Sequence, residues 1–114
     1  MFNATVTKEA NKHIVYLRGK LNIANAAEFS KTLQSLIRPE NNDVILEMSE
    51  LEYISSDGLV VMLDWMQATQ AQATGGRRRL AVCNPQQFVR TIFSYTGFDK
   101  KFPVYDSMNA AMSG

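Results

Sequence analysis

Two short runs in this chain, Val44-Ile45-Leu46 and Leu80-Ala81-Val82-Cys83, are wholly apolar, and each stands between stretches whose apolar residues recur at helical spacing. A continuous apolar run of this length suits a strand covered on both faces. Strands that alternate with helices pair in parallel through right-handed crossovers, which leaves few architectures open. The helical stretch before Val44 places Ala26, Phe29, Leu33, Leu36 and Ile37 on one face. Asn25 reads as its N-cap, with Glu28 three residues on as in a capping box. Pro39 ends it, and Glu40, Asn41 and Asn42 form a loop.

The other elements follow from the same patterns. Residues 4–7 and 12–18 read as two strands, the second carrying Ile14, Val15, Tyr16 and Leu17, with a turn at Asn11 and Lys12. Residues 44–48 form a strand and 49–54 an irregular connection. A helix after Gly58 uses Leu59, Met62, Leu63 and Met66 as its core face and ends at Gly75-Gly76. Asn84 is read as the cap of the next helix and Pro85 as its first residue; Phe88, Val89, Ile92 and Phe93 are its apolar side and Gly97 its end. Residues 102–105 form a short edge strand, since Pro103 withholds a donor. Asp106 caps a last helix through Met108, Ala111 and Met112. The predicted order is ββαβαβα(β)α, an α/β fold whose opening hairpin makes the sheet mixed, with four to five strands.

A chain of 114 residues suits one domain with a single core, here taken as 1–114. A net charge of +1 supplies no field that would draw it to nucleic acid or an anionic membrane. No apolar run approaches the roughly 20 residues of a membrane span, and the N-terminus lacks the pattern of a signal peptide. With Cys83 as the one cysteine, no internal disulfide is possible. The expected location is the cytoplasm. One cysteine and one histidine cannot build a typical zinc site, and no general base accompanies the serines in a G-x-S-x-G pattern. No enzyme, metal or cofactor is therefore expected. Arg77-Arg78-Arg79 reads as a solvated strand start, His13 as exposed and inert, and Cys83 as a small core residue.

The segment Tyr53-Ile54-Ser55-Ser56-Asp57-Gly58-Leu59 is the most informative. Its serines lie where a strand enters a helix, beside amides that lack intrahelical partners and at the positive end of the dipole. A phosphoryl group would find donors there, and Gly58 is read as keeping the backbone accessible. Ser, Ser and Asp are also common cap residues, so local sequence alone leaves capping and phosphate acceptance both open. Val61 and Trp65 stand one turn apart, off the expected core face, and read as either an exposed anchor or a pair covered by neighbouring helices.

Three blocks carry a resemblance over nearly the whole chain. They are Leu17-Arg18-Gly19-Lys20-Leu21-Asn22, the stretch from Val44 to Leu59, and Gly75-Gly76 with its basic start, apolar strand, Asn84-Pro85 and closing Phe93-Ser94-Tyr95-Thr96-Gly97-Phe98. In this order and spacing the chain resembles the STAS domain family, and within it the bacterial anti-sigma-factor antagonists. The resemblance implies a mixed sheet with helices mainly on one face. It implies a binding switch: the unphosphorylated protein engages an anti-sigma factor that is a serine kinase, phosphorylation of Ser56 ends the binding, and a PP2C-type phosphatase restores it. Asn22, Ile23, Ser55, Ser56, Asp57, Gly58, Val61 and Trp65 are the expected partner-binding residues, on a protein that is a monomer when free. Ser55 stands where the family has an aspartate, Asp57 where it has a second Ser/Thr, and Asn22 replaces another aspartate, which implies a shift in partner specificity. Alternatives with the same fold are an unmodified scaffold or transporter subunit, and a small-ligand sensor.

Overall fold

Buried Val44, Ile45, Leu46 and Met48 lie in a strand flanked on both sides by other strands, as their apolar run requires. The computed structural model describes residues 2–36, 43–71 and 80–113. Its strands are β1 (Phe2–Glu9), β2 (Lys12–Leu21), β3 (Asp43–Ile54), β4 (Leu80–Cys83) and β5 (Val104–Tyr105). Its helices are α1 (Ala26–Gln34), α2 (Ser56–Ala71), α3 (Gln87–Thr96) and α4 (Met108–Ser113), with a 3-10 turn at Phe98–Lys100. The sheet order is β1-β2-β3-β4-β5; β1 is antiparallel to β2 and every other neighbour pair is parallel. Crossovers that step in one direction with one hand place their helices on one face. Accordingly, residues of α1, α2 and α3 share one core cluster with Val15, Leu17, Val44, Leu46 and Met48. On the opposite face α4 sets Ala111, Met108 and Met112 against Ile14, Ile45, Ala81 and Cys83. This is the mixed α/β arrangement the sequence predicts. The expectations for Ile37, Pro39, residues 40–42, Gly75-Gly76 and Arg77-Arg78-Arg79 lie outside the described residues.

Several local expectations are corrected. The hairpin turn is Ala10-Asn11, at φ 50 and 67, the two-positive-φ turn that suits strand twist; Lys12 already belongs to β2. Residues 49–54 continue β3. Between the pairs Tyr16↔Glu47 and Leu21↔Ile54, β3 carries more residues than β2, with register shifts on either side of Arg18 and Gly19. The bulges break the two-residue alternation, leaving Leu51 and Ile54 buried and the residues between them exposed, which gives the segment its irregular look in sequence. Asn84 does not cap α3. It takes a left-handed φ of 57 and its Nδ2 donates to Glu47 Oε2 at 3.0 Å, while the helix starts at Gln87. Gly97 closes α3 as expected, at φ 79. Phe88 leaves the core side of α3 and stacks on Tyr53, with ring centroids 5.9 Å apart. His13 is buried.

The exposed Val61–Trp65 pair is also corrected. Trp65 is 3% exposed, Val61 is half-buried against the same core, and the solvent side of α2 is Val60, Asp64 and Gln67. The indole fills the seam between α1 and α2, and its Nε1 donates to Leu33 O at 2.7 Å. That carbonyl already accepts from Leu36 N–H at 3.0 Å, so the indole takes up its second acceptor site while it packs. Replacing Trp65 by alanine is expected to remove about 3–5 kcal/mol of stability in urea unfolding. A loss under about 1 kcal/mol would contradict this placement.

Candidate functional site

The C-terminal ends of β2 and β3 lie side by side, with Leu21 opposite Ile54. Just beyond them Ser55 N–H donates to Leu21 O at 2.9 Å, so the entry to α2 is tied to the end of β2. Ser55 then acts as the helix cap. Its Oγ accepts from Gly58 N–H at 3.4 Å and its carbonyl from Leu59 N–H at 3.1 Å. Ser56 is the first helical residue and is exposed, and Asp57 follows in the first turn, partly buried. No hydrogen bond holds the Ser56 hydroxyl among the described residues. Of the two meanings left open in the sequence, capping therefore falls to Ser55, and Ser56 keeps an uncommitted hydroxyl.

Gly58 is buried, which corrects the accessible backbone expected for it. A Cβ there would meet Leu21 Cδ2 at 2.8 Å, Leu21 Cγ at 2.9 Å and Ile54 Cγ1 at 3.0 Å. The glycine is needed because the helix lies directly on the two strand ends. Its role is to seat Ser56, not to face a ligand.

The loop after β2 supplies the second half of the site. Asn22 Oδ1 accepts from Ala24 N–H at 3.0 Å, and Asn25 N–H donates to Asn22 O at 3.1 Å. This tight turn leaves Ile23 75% exposed. On α2, Val60 is 51% exposed one turn beyond Ser56. The structure therefore brings Asn22, Ile23, Ser55, Ser56 and Asp57 to one end of the sheet, with Ile23 and Ser56 outward. Gly58 seats α2 beneath this surface, whereas Val61 faces the core and Trp65 lies more than two turns along the helix against the end of α1, so neither belongs to it. Val60 was missed because helical periodicity cannot locate the centre of an apolar face on a helix as hydrophobic as α2. Its signal was the i, i+4 spacing from Ser56.

The site offers an exposed hydroxyl at the start of a helix beside two exposed apolar side chains. No group of three metal-ligating side chains occurs among the described residues, and no helix among them is long and apolar enough to cross a membrane. Cys83 is buried beside Glu47, with which it is in register. Burial first, and the Glu47 carboxylate second, push its thiol from 9.0 up to about 11. That carboxylate is held in turn by Ser49 N–H at 3.1 Å, Ser49 Oγ–H at 2.9 Å and the Asn84 amide. The cluster clamps β3 to the end of β4 and offers no reactive thiolate.

Comparison with known proteins agrees with this fold. The sequence model of the STAS domain matches residues 2–111. The chain is 35% identical over 108 residues to BtrV of Bordetella bronchiseptica, named as a candidate anti-sigma factor antagonist, covering 94% of this chain and 89% of that protein. A Thermotoga maritima structure described in the same terms superposes with a TM-score of 0.79 at 24% identity, covering 96% and 92% of the two chains. SpoIIAA, an anti-sigma factor antagonist solved in its unphosphorylated form, superposes with a TM-score of 0.77 at 18% identity, covering 96% and 93%. At these identities the two structures speak to the fold.

Because the Cys83 thiol ionises near 9 when unfolded and near 11 when folded, its contribution to stability is complete below pH 9 and is lost as pH rises to about 11. Urea unfolding from pH 8 to 11 is expected to show a steeper alkaline loss in wild type than in Cys83→Ala. Equal slopes would refute the shift.

Proposed function

The chain belongs to the STAS domain family, and from that premise we propose that it is a phosphorylation-controlled binding switch of the anti-sigma-factor-antagonist type. Its partner is an anti-sigma factor with serine-kinase activity, bound while Ser56 is unmodified and released once Ser56 is phosphorylated. A PP2C-type phosphatase resets it. The observation that supports this most is the state of Ser56: exposed, first in its helix, and relieved of capping by Ser55. The name of the Bordetella relative points the same way.

The docking surface pairs an apolar part, Ile23 and Val60, with the polar Ser56 and Asp57. Ile23 and Val60 are the exposed anchors in place of Val61 and Trp65. A partner that covers bare Ser56 desolvates a hydroxyl. After modification it must desolvate a group of about −1.5 to −2 charge, which costs several kcal/mol unless cations meet it. A loss of about 4 kcal/mol is roughly a thousandfold in affinity, enough to release a micromolar partner.

The test is a pull-down from native lysate with wild type, Ser56→Ala, Ser56→Asp and Val60→Asp as baits. A serine-kinase-type anti-sigma factor is expected with the first two and not with the last two. Equal recovery on wild type and Ser56→Asp overturns the switch, and full recovery on Val60→Asp overturns the placement of the surface.

A further inference from the structure

Asn25 occupies the position of an N-cap for α1, yet its side chain makes no cap hydrogen bond. Both ends of its amide turn back toward β2 instead. Oδ1 accepts from Asn22 N–H at 2.9 Å, and Nδ2 donates to Lys20 O at 2.9 Å. The expected capping box with Glu28 is therefore absent, and a residue well suited to capping serves the loop before the helix. What it holds is the turn that exposes Ile23. One side chain bonds a backbone acceptor on one side of Leu21 and a backbone donor on the other, while Leu21 O accepts from Ser55 N–H.

The geometry points to Asn25 as a positioning residue of the docking surface: it fixes the 22–25 turn so that Ile23 stands out at the strand end next to Ser56. Both bonds need an amide, an acceptor and a donor on one short side chain. Aspartate keeps the acceptor, loses the donor and remains a good helix cap. Alanine loses both. A large exposed apolar residue on a loose turn must be ordered when a partner binds, and a turn ordered beforehand avoids that cost. The functional part of this inference rests on the proposed docking role; the local ordering does not.

The test measures amide hydrogen exchange and 15N order parameters in the free wild-type, Asn25→Asp and Asn25→Ala proteins. In Asn25→Ala the Asn22 amide is expected to exchange at least about tenfold faster, with the α2 amides unchanged. Order parameters at Ile23 and Ala24 should fall from about 0.85 to below about 0.6. Asn25→Asp should retain the protection of Asn22, and it also serves as the reading should Asn25→Ala not fold. Loss of protection in the first turn of α1, with Asn22 and Ile23 unchanged, would make Asn25 an ordinary cap and overturn the inference. With the partner recovered above, Ile23→Ala and Asn25→Ala should each weaken binding about tenfold and the double variant no more than either alone. Additive losses would overturn the coupling. Failure of the pull-down leaves the exchange result to decide the ordering by itself.

Discussion

The close approach of α2 to the end of β2 is the contact on which the site depends. It has two parts, a backbone hydrogen bond from Ser55 to Leu21 and a side-chain packing of Leu21 into the space left by the missing Cβ of Gly58. Either alone would leave a degree of freedom. The bond sets the height of the chain at the strand end, and the packing sets how closely the helix lies. Together they fix the first helical residue, so the Ser56 hydroxyl projects from a rigid support although it makes no hydrogen bond among the described residues. The proposed switch needs that group free and everything around it fixed. Buried Leu21, Ile54, Gly58 and Leu59 meet the second condition without using the hydroxyl.

The remainder of α2 reflects the same division. A helix that presented its tryptophan to a partner would need another large side chain to fill the seam with α1. Here Trp65 fills that seam and also donates to the Leu33 carbonyl. The helix is left with a narrow solvent face along Ser56, Val60, Asp64 and Gln67, where one apolar residue stands one turn from Ser56. Specificity on so narrow a face has to draw on a second element, and the turn carrying Ile23 lies at the adjoining strand end.

Much of this was legible in the sequence, for identifiable reasons. The apolar runs at Val44 and Leu80 imposed parallel strands, and the ordered blocks around Ser56 gave the family. What escaped was set by tertiary partners. Asn25 and Asn84 are both residues that favour caps, and local propensity cannot see that the carbonyl of Lys20 or the carboxylate of Glu47 competes for their amides. The second half of β3 escaped because two register shifts remove the alternation by which strands are recognised. Trp65 is covered and Val60 exposed because α2 is apolar on most sides, and only the position of α1 decides which flank is covered. Gly58 carried a signal that was read for the wrong purpose: a glycine early in a helix marks close packing as readily as it marks an open backbone.

The charge balance at the head of α2 shows where an added phosphoryl group would act. A helix N-terminus offers about half a positive elementary charge. Asp57, in the first turn, already brings a full negative charge to that end. A phosphoryl group on Ser56 would add about −1.5 to −2, leaving a local excess near −2 to −2.5 that the helix dipole cannot offset. No lysine or arginine is ion-paired with Asp57 among the described residues, where the ion pairs lie at Asp43, Glu50 and Asp106. The excess would have to be met by water and counterions, both of which an exposed Ser56 can recruit without disturbing the packing beneath it. The same charge under a partner's surface would have neither. The fold would thus tolerate a phosphoryl group because Ser56 is solvated, and a docked partner would tolerate it only by supplying cations of its own.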